Sequence, residues 1–171
     1  MSEIRYALYD DLKEIRNLWE YSFSEEESFL DYYFDKRYNP GCNLIAKETA
    51  LLASLQRNPY KINISKDSQN TAYVVGISVY PEHRGKKLTT KLLNKALEEA
   101  YNLGEKISLL MPIDTAIYRR YGYENCFSLY SFEVNLSDIE YKNNKSVNLE
   151  RITKMTDELA DLLIEIYLEK A

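Results

Sequence analysis

Histidine is nearly missing from this chain: His83 is the only one in 171 residues. Catalytic triads and His-based metal sites therefore have little to build from, and no metal is expected. Cysteine is scarce too. Cys42 and Cys126 lie far apart with no ligand spacing, which fits reduced, partly buried thiols in a cytoplasmic protein. No run approaches the roughly eighteen apolar residues of a membrane span. The opening MSEIRYALYDD has no apolar h-region, so neither export nor a membrane partner is expected. Surplus positive charge is absent as well. The net charge is -5 at pH 7, whereas a nucleic-acid binder normally carries a basic face, so no nucleic-acid partner is expected. That balance leaves room for a local basic site, and for an acidic surface that attracts cationic amines.

Hydrophobic residues make up 45% of the chain and charged ones 29%, the ordinary balance of a globular protein. A chain of this length can bury one good core, and a second complete domain would be cramped. The 16 tyrosines are expected at core and rim positions, with their hydroxyls reaching water or backbone carbonyls. IRYALY (4–9) alternates like a strand. Asp11 with Glu14 resembles a capping box before a helical stripe of Leu12, Ile15, Leu18, Trp19 and Phe23. A second helix is expected through Phe29 to Phe34, stopped by Asn39-Pro40-Gly41.

NLIAKE and ALLASLQRN read as a strand pair. TAYVVGISVY reads as the strongest strand, with Gly76 marking a bulge or a close backbone approach. From Leu88 to Leu103 apolar residues share one helical face, and Gly104 ends the helix. KISLLMP is a short, fully apolar strand of the kind found in parallel crossovers. DTAIYRRYGYE is a short helix closed by Gly122, with Tyr121 and Tyr123 as packing residues, and CFSLYSFEV is a further strand. This order gives an α/β fold, a mixed sheet with helices on its faces, over 1–136. Residues 137–171 read as a linker followed by a restart: LERITKMTDELADLLIEIYLEK echoes the opening of the chain, as either a second unit begun or a C-terminal helix.

Chemistry concentrates in ISVYPEHRGKKLTTKLL (77–93), where a strand feeds a basic turn and then a helix. A helix start offers free N–H groups and a positive dipole end, which suits a phosphate. A Walker loop would need Gly at 80 and Ser or Thr after the lysine; Tyr80 and Lys87 exclude it. A Rossmann turn needs spaced glycines, and the loop contains only Gly85. A solvated basic turn is the plain alternative. Gly76, together with Pro112 at the end of the next strand, favours two strands that splay apart. The amides of Ile77, Ser78 and Val79 would then be free to pair with an extended, amide-bearing arm.

VVGISVYPEHRGKKLTTKLL followed by LMPIDTAIYRRYGYE resembles the core of a GNAT (Gcn5-related) N-acetyltransferase. The IYRRYGYE ending and the restarting tail are similar, more narrowly, to the enhanced intracellular survival type. Members of that type carry a GNAT domain, a second GNAT-like domain and a sterol-carrier-like domain, so this chain is expected to be a fragment or a shortened member. The resemblance implies the acyl-CoA N-acyltransferase fold with a splayed central sheet, and acetyl-CoA as co-substrate held through Arg/Gln-x-x-Gly-x-Gly/Ala. It implies cofactor contacts from Ile77, Ser78, Val79, Arg84, Gly85, Lys86, Lys87, Leu88 and Thr89. Lys87 and Thr89 stand where small residues are usual; a Cβ there crowds a phosphate, and the Lys87 charge compensates in part.

The same resemblance implies direct acetyl transfer to a primary amine, on a small molecule or a lysine side chain. Tyr118 occupies the position of the family's general acid, with a core aromatic as the plain alternative. The backbone N–H of Val79 is the expected donor to the thioester oxygen. Glu25, Glu26 and Asp31 fall in the region that usually lines the acceptor site, where a solvated acidic face is the plain reading. The carboxylate that closes the longer relatives has no counterpart at Ala171, so no general base is assigned. Two rivals remain: a degenerate fold that binds CoA or an amine without turnover, and an assembly role, since the family often forms oligomers.

Overall fold

The computed structural model describes residues 2–64, 67–128, 131–135 and 156–170. They divide into two compact units, Met1–Phe127 and Ser128–Ala171. The first is built on a five-stranded mixed sheet of order β1-β2-β3-β4-β5. Its strands are β1 (Glu3–Tyr6), β2 (Asn43–Lys47), β3 (Leu51–Ile64), β4 (Asp67–Val79) and β5 (Ser108–Leu110). The first four pair antiparallel in sequence order, and β5 joins β4 in parallel. Helices α1 (Leu12–Ser22) and α2 (Glu27–Tyr32) follow β1. Helix α3 (Leu88–Asn102) crosses from β4 to β5, and α4 (Thr115–Arg119) comes after β5. The mixed α/β class expected from the residue pattern is the one observed.

Neighbouring side chains of β2 explain the layering. Leu44 and Ile45 point to opposite faces, and both are fully buried. Leu44 joins Leu55, Val74, Leu92 and Leu93 in a core under α3. Ile45 joins Ile15, Leu18, Trp19 and Phe34 in a second core under α1 and α2. The α3 stripe buries Leu88, Leu92, Leu93, Ala96 and Ala100, but Leu103, expected on that face, is 67% exposed. By then the chain has left the helix: Gly104 takes φ +73°, and the Glu105 N–H returns to the Ala100 carbonyl at 2.9 Å.

The capping box expected from Asp11 and Glu14 does not form; α1 has no side-chain cap. The Asp11 carboxylate, almost wholly buried, instead accepts from both Arg5 guanidinium nitrogens (2.7 and 3.1 Å), Lys47 Nζ (2.8 Å) and the Leu8 N–H (2.8 Å). Arg5 foremost holds that carboxyl well below the usual range. Glu14 accepts from Lys47 and from the Leu51 N–H, so two carboxylates fasten β1, α1, β2 and β3 together.

Three further expectations change. The β3–β4 hairpin runs out to Ile64 and Asp67, well past ALLASLQRN and TAYVVGISVY. The pairing of β2 with β3 ends at Asn43 and Gln56, so Pro59 lies where β3 has no second neighbour to supply, and its missing N–H costs no ladder bond on that side. CFSLYSFEV forms no strand over 126–128 or 131–134, and the positions between lie outside the described residues. Its Phe127, Phe132 and Val134 are 76%, 86% and 59% exposed, so alternation alone found no face to bury. Cys126 is exposed and only Cys42 is partly buried. In the second unit, α5 (Asp157–Lys170) is a helix with Leu162, Leu163, Ile164 and Ile166 exposed. The strand-like LERI run before it lies outside the described residues.

Candidate active site

Strand β4 is zipped to β3 from end to end, yet it pairs with β5 at only three rungs: Ala72 with Ser108, Tyr73 with Leu109 and Val74 with Leu110. Beyond Val74 the two strands part. Gly76 sits at the fork with φ +64°. The register runs from Gln56↔Val75 to Ser54↔Ser78, so β4 spends Gly76 and Ile77 opposite the single residue Leu55. That is a bulge, and it turns the strand away from its neighbour. A side chain at 76 is also blocked in space, since a Cβ would lie 2.2 Å from the Trp19 ring. Both sequence readings of Gly76, a bulge and a close approach, hold at once.

Amides on a strand face alternate sides. The Tyr80 N–H donates to the Leu52 carbonyl of β3 at 3.1 Å. The Val79 N–H therefore faces the open edge, and Ile77, two residues earlier, shares its direction. Ser78 turns its N–H toward β3, which corrects the expected row of three free amides to two. The Ser78 hydroxyl donates to the Gly76 carbonyl at 3.3 Å.

The fork opens into a cavity of about 770 Å³. One wall is the edge Ile77, Ser78 and Val79; the floor is the turn with Arg84, Gly85 and Lys87 and the start of α3 at Leu88, Thr89 and Thr90. In the turn Gly85 has φ +78° and Lys87 φ +58°, and Lys87 is the only non-glycine among the described residues at positive φ. Two left-handed residues so close together fold the backbone into a concave nest of N–H groups. The first backbone bond within α3 runs from the Lys91 N–H to the Lys87 carbonyl, so the N–H groups of Leu88, Thr89 and Thr90 have no helical acceptor. No side chain caps them. A Cβ at Gly85 would meet nothing within 4 Å, so the space over the nest is open.

Of the nine residues expected to hold the cofactor, eight line this cavity. Lys86 does not; its Nζ lies 3.0 Å from Nδ1 of His83 instead. Tyr118 is buried behind the wall, in the core cluster that also holds Val74, the last rung before the fork, and Leu88. Burial pushes its phenol up. Its neighbours Ile117 and Arg120 reach the cavity. Tyr121 and Tyr123 are packing residues as expected, fixed by Thr90 (2.7 Å) and Ser108 (2.6 Å) through their hydroxyls. The acidic trio is not brought to the cavity. Glu25 and Glu26 stand exposed between α1 and α2, and the Asp31 carboxylate accepts from Arg16 at 2.7 Å. The residue pattern missed Tyr21, Phe23, Ile113 and Arg120, all on the wall.

Residues 3–126 match the family model of the acetyltransferase (GNAT) domain. The chain belongs to the GNAT acetyltransferase family. No curated protein sequence matches significantly. Among solved structures, a probable N-acyltransferase from Enterococcus faecalis is 21% identical with a TM-score of 0.66, over 72% of this chain and 32% of its own. A predicted acetyltransferase from Clostridium acetobutylicum, solved with acetyl-CoA, is 17% identical with a TM-score of 0.64, over 82% of this chain and 100% of its own. Eis1 from Mycobacterium abscessus is 19% identical with a TM-score of 0.61, over 72% and 31%. At these identities the likeness establishes the GNAT fold. The chain spans about a third of the length of the Enterococcus and Mycobacterium proteins. No helix among the described residues of this GNAT chain is long and apolar enough to cross a membrane.

Proposed function

We propose that this GNAT chain moves an acetyl group from acetyl-CoA to a primary amine by direct transfer. The observation that carries the reading is the fork in the sheet: an N–H-bearing strand edge that leads into a nest at a helix start. Acetyl-CoA suits these residues. The Val79 and Ile77 N–H groups match an extended arm bearing amides, and the open nest with Arg84 and Lys87 matches a pyrophosphate. The Clostridium relative solved with acetyl-CoA supports the choice of donor. IYRRYGYE and the fold shared with Eis1 support the narrower likeness to the enhanced intracellular survival type.

Transfer forms an N–C bond and breaks a C–S bond; the amine sheds a proton and the departing sulfur gains one. In this reading the Val79 N–H donates to the carbonyl oxygen as negative charge develops there, and a fixed backbone donor needs no reorganisation at that moment. Tyr118 is the proton donor in this reading. A phenol is protonated at neutral pH, the state an acid needs, and burial raises its pKa further. A second reading, cofactor binding without turnover, draws on Lys87, whose Cβ stands at a left-handed position beside the nest.

Release of free CoA with an amine panel tests the proposal, alongside a thermal shift with acetyl-CoA. Tyr118→Phe is expected to lower kcat about 10²–10³-fold while leaving the acetyl-CoA shift intact. A thermal shift without CoA release from any amine would favour the binding module. Unchanged release in Tyr118→Phe would remove Tyr118 from the mechanism.

A further inference from the structure

The end of the cavity away from the nest is built differently. Tyr21, in the last turn of α1, and Phe23, just past it, line the cavity, as do the exposed Ile113 and Ile117. Tyr21 leans toward Tyr80, with ring centroids 6.1 Å apart. Phe23 lies 5.1 Å from Trp19, the ring that covers Gly76. Tyr21 and Phe23 thus form an aromatic shelf on the cavity wall, backed by Tyr80 and the buried Trp19.

Charge points the same way. With Arg84 and Lys87 given to the nest, the remaining ionised side chain on the wall is the cationic Arg120, and no carboxylate of the described residues lines the cavity. Arg120, on the cavity wall, packs over the Tyr121 ring at 5.0 Å. A polycation entering here would lose water and meet like charge. A flat ring would gain apolar and ring-to-ring contact against the shelf. An amine that arrives uncharged also needs no carboxylate to deprotonate it before attack, and its proton is lost once the N–C bond forms.

We infer that the acceptor is an arylamine, a primary amino group attached directly to an aromatic ring, and that Tyr21 and Phe23 select it. This rests on the acetyltransferase reading. The nitrogen lone pair forms the new N–C bond, the C–S electron pair leaves on sulfur, and the proton lost by nitrogen balances the one gained by sulfur.

The test compares three probes on the same chain: 4-aminobenzoate, benzylamine, whose ring carries a charged alkylamine, and spermidine. Free CoA release is expected to give kcat/KM for 4-aminobenzoate at least about tenfold above benzylamine and about a hundredfold above spermidine. Tyr21→Glu, which places an anion on the shelf, is expected to narrow the gap between 4-aminobenzoate and spermidine at least about tenfold. Spermidine as the best wild-type acceptor, or an unchanged ratio in Tyr21→Glu, overturns the inference and leaves the acetyltransferase standing. An acetyl-CoA thermal shift with no release from any amine overturns the inference in favour of the binding module. Loss of the thermal shift as well would remove both.

Discussion

The two edges of β4 share a backbone and differ in fate. Toward β3 the strand is paired from Asp67 to Val79, interrupted only by the bulge. Toward β5 it is paired from Ala72 to Val74 and then released. Strand amides alternate, so consecutive residues serve opposite edges: Ser78 helps hold the sheet together, while Val79 offers its N–H to whatever enters the cavity. Stability and binding are interleaved along one strand at single-residue spacing.

Substitutions can pull these two roles apart. The largest loss of stability is expected from Gly76→Val, which forces a β-branched residue to positive φ and drives its Cβ into Trp19. Left-handed strain and overpacking together set a cost of about 4 kcal/mol, read as urea midpoint. Ser78→Pro deletes an N–H aimed at β3 and is expected to cost about 3 kcal/mol in the same assay. Val79→Pro deletes the N–H on the other edge. Its unfolding midpoint is expected to stay close to wild type, while acetyl-CoA binding by calorimetry weakens about tenfold, or 1.4 kcal/mol. Should Val79→Pro unfold the chain as readily as Ser78→Pro, the division of labour between the edges is wrong. The smallest effect belongs to the turn. Lys87→Gly relieves a side chain held at φ +58° and is expected to stabilise by about 1 kcal/mol.

Much of this contrast was legible in the residues. Gly76 and Pro112 pointed to a strand that leaves its neighbour, and Arg84-Gly85-Lys86-Lys87 before an amphipathic helix pointed to an anion-binding helix start. Local signals of this kind survive folding because they report backbone conformation. The direction of each amide was not legible. It depends on register, and the bulge resets that register between Val75 and Ser78. Tyr21 and Phe23 looked like the end of an ordinary helical stripe, and only the third dimension brings them to the cavity. The acidic run near Glu25 misled for the opposite reason: charge in a sequence carries no information on which way a loop faces. Residues 58–64 and 67–70 hid their strands because these stretches have no buried side to write an apolar pattern into them.

The contact between Trp19 and Gly76 has a mechanical consequence. The indole fills the volume a side chain would need at that position, so α1 cannot slide along β4 without first unwinding the bulge. The helix that presents the shelf and the strand that presents the amides are geared together by one ring, and the opposing faces of the cavity travel as a single piece.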